Sequence, residues 1–228
     1  MLRKLMYLSI VVLIGVLLWK FVWNQPPPPE NITPEGKVAG QVLDSPRFPA
    51  MKFQFTPEFK YVGAQRFQMK ASSDVEQHVW AETDAEKHIQ RLFWLQYEGF
   101  LPNNDFTFDY EQQPLNMQHG GLQWKCNMFM IVPRRDEDPD TDGARFRSFL
   151  RSKGVHIPPQ YVQLRCFHVA EDGRNELMMI YLEDSEITEW ARKPRPVGAD
   201  KKIVRPPTRV EVRNALLNRL KERVQISK

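Results

Sequence analysis

The sequence predicts an α+β protein in which an N-terminal transmembrane helix and a Pro-rich linker precede a mainly antiparallel β-sheet domain with a short helix and an amphipathic C-terminal helix. Three observations predict it. Leu5 to Trp19 is an apolar run without charge, segments from Phe59 onward alternate with period two, and only two later stretches carry helical spacing. The links between alternating segments are too short for the crossovers of a parallel sheet, so the strands pair antiparallel. The expected divisions are a signal-anchor over 1–23, a linker over 24–50, a globular domain over 51–190, and a basic linker with the C-terminal helix over 191–228.

The anchor is argued from length. At ~1.5 Å rise per residue, Leu5 to Trp23 spans roughly 28 Å, close to the hydrocarbon thickness of a bilayer. Lys20 lies near the end, where its ammonium can snorkel outward, and Trp19 and Trp23 sit at the depth that aromatic belts favour. A cleavable signal peptide would share the basic start at Arg3 and Lys4. The chain after the run reads WKFVWNQPPPP, however, with no small-residue cleavage site, which favours an uncleaved anchor. The short basic tail ahead of the run places the globular domain on the extracytoplasmic side. Gln25 to Pro29 then forms a stiff polyproline stub that continues into a polar spacer.

Phe59, Tyr61, Phe67 and Met69 mark a strand with one buried face, and Val75 to Thr83 a second. Gln90 to Tyr97 is bulky on both faces and reads as a central strand. Phe106, Phe108 and Tyr110 alternate with Thr107, Asp109 and Glu111 as a half-exposed strand, and Leu122, Trp124, Cys126, Met128 and Met130 line a longer one. Tyr161 to Val169 and Glu176 to Leu182 form a hairpin across Glu171-Asp172-Gly173-Arg174. Phe146, Phe149 and Leu150 mark the short helix, with Asp142 as its cap and Gly154 as its stop. Thr208 to Ile226 is the amphipathic helix, with Val210, Leu216, Leu217, Leu220 and Val224 on its apolar stripe.

Charge is distributed unevenly along the chain. The net charge of +4 conceals +3 over 1–23, +9 over 191–228 and −8 between them. The basic end therefore docks either on the protein's own acidic body or on an anionic surface such as lipid headgroups. Lys and Arg interleave too sparsely with the strand aromatics for a nucleic-acid platform, so no nucleic-acid partner is expected.

Several residues invite chemistry. Asp138, Asp140 and Asp142 ahead of Gly143 match the first half of a calcium loop, but the twelfth loop position is Phe149, so the pattern reads as an acidic turn capping the next helix. His78, His88, His119, His156 and His168 show no metal spacing. His119-Gly120-Gly121 reads as a turn, because no G-x-S-x-G elbow accompanies it. No phosphate-binding glycine loop occurs, so neither a nucleotide cofactor nor a metal is expected. Cys126 and Cys166 lie on separate predicted strands and are either bridged or two buried thiols. Trp80, Phe93, Trp94, Tyr97, Phe100, Trp124 and Phe129 either fill the core or line an apolar pocket.

The expected function is that of a noncatalytic binding or interaction domain held near a membrane, its catalytic residues, if it has any, unknown. Its partners are the lipid bilayer through residues 5–23 and a protein partner or an apolar ligand. The alternative is a membrane-tethered hydrolase whose site is assembled only in the fold, for which a histidine bonded to a carboxylate would be the sign.

Overall fold

The computed structural model describes residues 32–70, 72–133, 138–188, 195–197, 202–204 and 207–228. The anchor over 5–23 and the polyproline stub lie outside them. No helix among the described residues is long and apolar enough to cross a membrane.

Two antiparallel sheets build the body. The smaller runs β1 (Lys37–Ala39), β2 (Val42–Ser45), β3 (Met51–Phe55) and then the last strand of the chain, β13 (Val224–Ser227). Pairing thus begins inside the 24–50 stretch expected to be spacer. The physical reason is that Leu43, Met51, Phe53 and Phe55 all point to one buried face. The larger sheet joins two meanders: β4 (Lys60–Met69), β5 (Ser73–Thr83) and β6 (Ile89–Phe100), then β7 (Leu115–His119), β8 (Leu122–Ile131), β9 (Tyr161–Val169) and β10 (Asn175–Asp184). Its order is β4-β5-β6-β10-β9-β8-β7, so the meanders meet along β6 and β10. A separate antiparallel pair, β11 (Arg195–Val197) and β12 (Lys202–Val204), lies near the C-terminus.

Among the described residues, three helices complete the body: α1 (Asp142–Ser152), α2 (Ser185–Thr188) and α3 (Arg209–Arg223). One face of the large sheet packs against the small sheet and α3, where Phe55 stacks on Trp80 at 4.2 Å and Phe59 meets Phe93 at 4.9 Å. Val212, Leu216 and Leu220 put the α3 stripe into this core, each such burial being worth about 1.5–3 kcal/mol. The opposite face packs against α1, with Trp94 stacked on Phe146 at 3.9 Å. Both faces of β6 and β10 are therefore covered, as the bulky sequence of Gln90 to Tyr97 requires.

Some predicted elements change at their ends. α1 is capped by Thr141, whose side chain accepts from the Ala144 amide, while Asp142 stands in the first turn. α3 opens with a Thr208–Glu211 capping box and stops at Arg223, because Val224 and Ile226 enter the β13 ladder. Phe106 to Tyr110 is not a strand. Asn104 and Asp109 accept from the backbone two residues on and bend the chain, and alternate aromatics rest on the sheet face instead. The β7–β8 turn needs positive φ at Gly120 (+62°) and Gly121 (+73°), and a Cβ on Gly120 would run into Ile226.

Cys126 and Cys166 face each other across β8 and β9 and are bonded as a disulfide, which settles the alternative left open by the sequence. The bridge closes a loop with a sequence separation of 40. Replacing both cysteines by alanine is expected to lower the unfolding free energy by roughly 2–4 kcal/mol. Urea unfolding of the double variant and of the wild-type chain with and without dithiothreitol checks it: both forms without the bridge should fall below the oxidised chain.

Candidate functional site

The meander topology places a crossing segment over the sheet. After β6 the chain must reach β7 at the far edge, and residues 101–113 do so without helix or strand on the α1-facing side. The path is marked by contacts. Phe108 stacks on Phe100 at 4.3 Å and donates its amide to the Gly173 carbonyl at 2.8 Å. Tyr110 lies on Phe167 at 3.9 Å, Lys125 pairs with Glu111 at 2.8 Å, and the Asn127 amide donates to the Gln113 side chain at 2.5 Å.

Between this segment and the start of α1 lies a polar floor. Strand alternation puts Gln96 and Glu98 of β6 on the same face as Trp94, and Glu176 of β10 stands directly opposite Glu98. An amide ladder reaches it from the sheet edge: Gln65 donates to Gln77 at 2.6 Å, Gln77 to Gln96 at 2.7 Å, and Gln96 to Glu98 at 3.1 Å and to Asp142 at 3.3 Å. From the other side, Arg165 of β9 donates to Asn127 at 3.2 Å and lies over the rings of Phe129 and Phe167 at 5.1 and 5.5 Å.

Electrostatics separates the two carboxyls from ordinary surface acids. Glu176 is 2% exposed and Glu98 7%. Burial, with the charges of Glu98 and Asp142 behind it, pushes Glu176 up to about 8, although a hydrogen bond from Tyr110 and the charge of Arg165 pull the other way. Burial, together with Asp142, also raises Glu98. Directly opposed carboxyls cannot both ionise cheaply, so the pair retains a proton at neutral pH. Glu176 Oε2 and Trp94 Nε1 are buried on this floor with no protein hydrogen-bond partner. A protonated carboxyl beside a second acid can donate as well as accept, which suits a polar ligand.

A histidine bonded to a carboxylate does occur, on the other face of the sheet. His78 Nε2 is 2.7 Å from Glu76, and the Tyr61 hydroxyl is 3.3 Å from His78 Nδ1. Burial alone would raise Glu76, but hydrogen bonds from His78 and from the Glu35 and Gly36 amides, with the His78 charge, hold it at about 2. Burial and Glu76 push Tyr61 up to about 12, so its hydroxyl stays protonated beside Nδ1. Both ring nitrogens are thus occupied, and the imidazole is 1% exposed. The node binds residues 35–36 to β5. A Cβ on Gly36 would lie 2.7 Å from His78 Nε2, which explains glycine there.

The other sequence candidates are dispersed. His119 bonds to the Val224 carbonyl at 2.8 Å, and His168 bonds to the Gln123 carbonyl at 2.9 Å and stacks on Phe48. Asp138 pairs with Lys70, Asp140 with Arg145, and Asp142 turns to Gln96, so the three carboxylates face different partners. His88 and His156 lie with ring centres 5.3 Å apart. Asp84, Glu86 and His88 bring ligand atoms within 4.8 Å of one another at an exposed turn, a donor set that could hold a borderline divalent cation. Trp80, Phe93, Tyr97 and Trp124 fill the core, while Phe129 is 39% exposed at the rim of the floor.

No family model, curated protein or solved structure matches the chain.

Sequence reasoning missed Glu98, Glu176, Arg165, Asn127 and Tyr110. The available signal was the carboxyl of Glu98 inside a run that is otherwise bulky, since buried strands admit such a group only with a partner or a shifted proton affinity. Glu76 generates a prediction of its own. Its folded pKa lies below the unfolded value, so its contribution is present above about pH 4.5 and is lost as pH falls through about 2. Glu76→Gln is expected to cost about 2–4 kcal/mol at pH 7 and little at pH 2. Urea unfolding at the two pH values measures this, and an equal loss at both would contradict it.

Proposed function

We propose that the protein is a single-pass membrane-anchored binding module: residues 5–23 remain in the bilayer, and the β body, on the extracytoplasmic side, receives a polar ligand or partner on the floor around Glu98, Glu176 and Arg165. The charge-free run from Leu5 to Trp19 carries the anchoring. The Cys126–Cys166 bridge supports the placement, since structural disulfides persist in oxidising compartments. The binding face rests on the buried Oε2 of Glu176, an acceptor that the fold leaves without a partner.

The basic C-terminal helix is better read as part of the body than as a lipid contact. Arg219 forms a two-point bond to Glu183 at 2.7 and 2.8 Å, Arg223 pairs with Glu58 at 2.7 Å, and Arg209 donates to the Met128 carbonyl at 3.0 Å. One observation favours the tethered hydrolase as a second reading: opposed carboxyls of unequal proton affinity are the parts of an acid–base pair.

The anchored reading predicts that the full chain stays in the membrane pellet after alkaline carbonate extraction, and that a reporter enzyme active only in an oxidising compartment works when fused after Lys228. Release into the supernatant, or a silent reporter with the fusion intact, would contradict it.

A further inference from the structure

We propose that Glu98 and Glu176 form a proton-operated latch: while the pair holds a proton, residues 101–113 stay closed over the floor, and when both ionise the segment lifts and exposes Arg165, Asn127 and the carboxylates. The inference rests on the reading of this floor as the binding face and assigns it a form of regulation.

Geometry carries the argument. The two carboxyls are direct cross-strand neighbours, both buried, at the seam where the two meanders join. The charged and titratable groups facing them are Tyr110 of the crossing segment, Asp142 of α1 and Arg165 of β9, with Gln96 of β6 as a neutral partner and Ser73 of β5 nearby. Arg165 is one cation against three carboxyls. A second negative charge here finds no further cation among these facing groups and is relieved by water.

The route for water is the crossing segment. It has no helix or strand of its own, and its few backbone bonds include Phe108 N–H to Gly173 and Gln113 N–H to Tyr110 at 3.0 Å. Over the floor it is held by the Tyr110 ring on Phe167, the Tyr110 hydroxyl toward Glu176, the Gln113–Asn127 bond and the Glu111–Lys125 pair, while its first residues are fixed at the rim by bonds from Leu101 and Asn104 to the Ser72 carbonyl and from Arg174 to the Leu101 and Phe106 carbonyls. Lifting it hydrates Glu176 without unpairing β6 from β10. The Tyr110 bond favours the ionised carboxylate, but burial opposes it more strongly.

Linkage fixes the direction. A carboxyl titrating near 8 when covered and near 4.5 when hydrated shifts the closed–open balance toward open by up to tenfold per pH unit between those values, with a plateau above about 8. The cover is therefore closed in acid and loosened in alkali.

Hydrogen exchange read by mass spectrometry on the full chain in detergent tests this, with no ligand present. Wild type and Glu176→Gln are compared at each pH from 5.5 to 9, so that intrinsic exchange chemistry cancels. The wild-type to variant rate ratio for peptides spanning 101–113 should climb several-fold per unit and level off near pH 8. A ratio that stays constant with pH overturns the latch, and so does an equal climb in residues 92–97, which would report global unfolding. Glu98→Gln supplies an independent arm: with its neighbour neutral, the plateau moves to lower pH, and an unmoved plateau overturns the pairing. Because the readout is the response to protons alone, failure of the latch leaves the binding face open to its own test, and a ligand that binds elsewhere leaves the latch intact.

Discussion

Burial of β6 and β10 on both faces is the constraint from which the rest of the architecture follows. Strands covered on two sides can hold polar side chains only where the protein itself supplies partners, because no water reaches them. The chain meets this demand in two ways. Glu183, fully buried on the α3 face, receives two bonds from Arg219 and one from the Tyr181 hydroxyl, so the same residue that would be costly alone pins the C-terminal helix to the sheet. Gln77 and Gln96, on the α1 face, satisfy one another along a ladder that crosses three strands. Each partnership fixes register, since a one-residue slip would turn every member to the wrong face.

Topology converts that constraint into a site. Two meanders zipped along β6 and β10 leave the next strand of the chain at the opposite edge of the sheet, and the connection has to pass over one face. The other face is already filled by the small sheet and α3, so residues 101–113 share the second face with α1. What lies between them is the polar floor. Its cover is an obligatory connection, not an added loop, and it is tied to the floor mainly by side chains and a few single bonds. That combination gives a segment whose opening free energy is smaller than that of the sheet beneath it.

Legibility in the sequence followed the range of the interactions. The period-two segments that became β4, β5, β6, β8, β9 and β10, the β9–β10 hairpin and the two longer helices depend on local alternation and caps, and those are written in consecutive residues. β13 was hidden because Val224 and Ile226 fit a helical stripe as well as a strand, and only the β3 partner decides between them. Phe106 to Tyr110 misled for the opposite reason: aromatics that alternate in order to stack on a sheet look like aromatics that alternate within one. Of the site, only the carboxyl of Glu98 in a bulky run was legible; the pairing was not. Glu98 and Glu176 are far apart in the chain, and nothing in either segment announces that β6 pairs with β10 in the register that sets them face to face. The bridged cysteines were half legible: their strands could be placed, but their adjacency could not.

The four buried glutamates of the central strands, Glu76, Glu183 and the Glu98–Glu176 pair, stand at three positions that differ in what they do for the fold. Glu76 gathers two amides and His78, with Arg47 beside it at 3.6 Å, and holds the entry segment to β5. Glu183 anchors α3. The Glu98–Glu176 pair binds the crossing segment through Tyr110 but leaves one oxygen without a partner and sets two acids against each other, an arrangement that apolar side chains of similar size would improve. Its contribution to stability is negative over much of the pH range, and it stands under the one cover that topology leaves lightly held. A structural purpose accounts for the first two positions. For the third no such purpose appears, and that is what supports the proposed roles of the carboxyls in binding a polar ligand and in sensing protons.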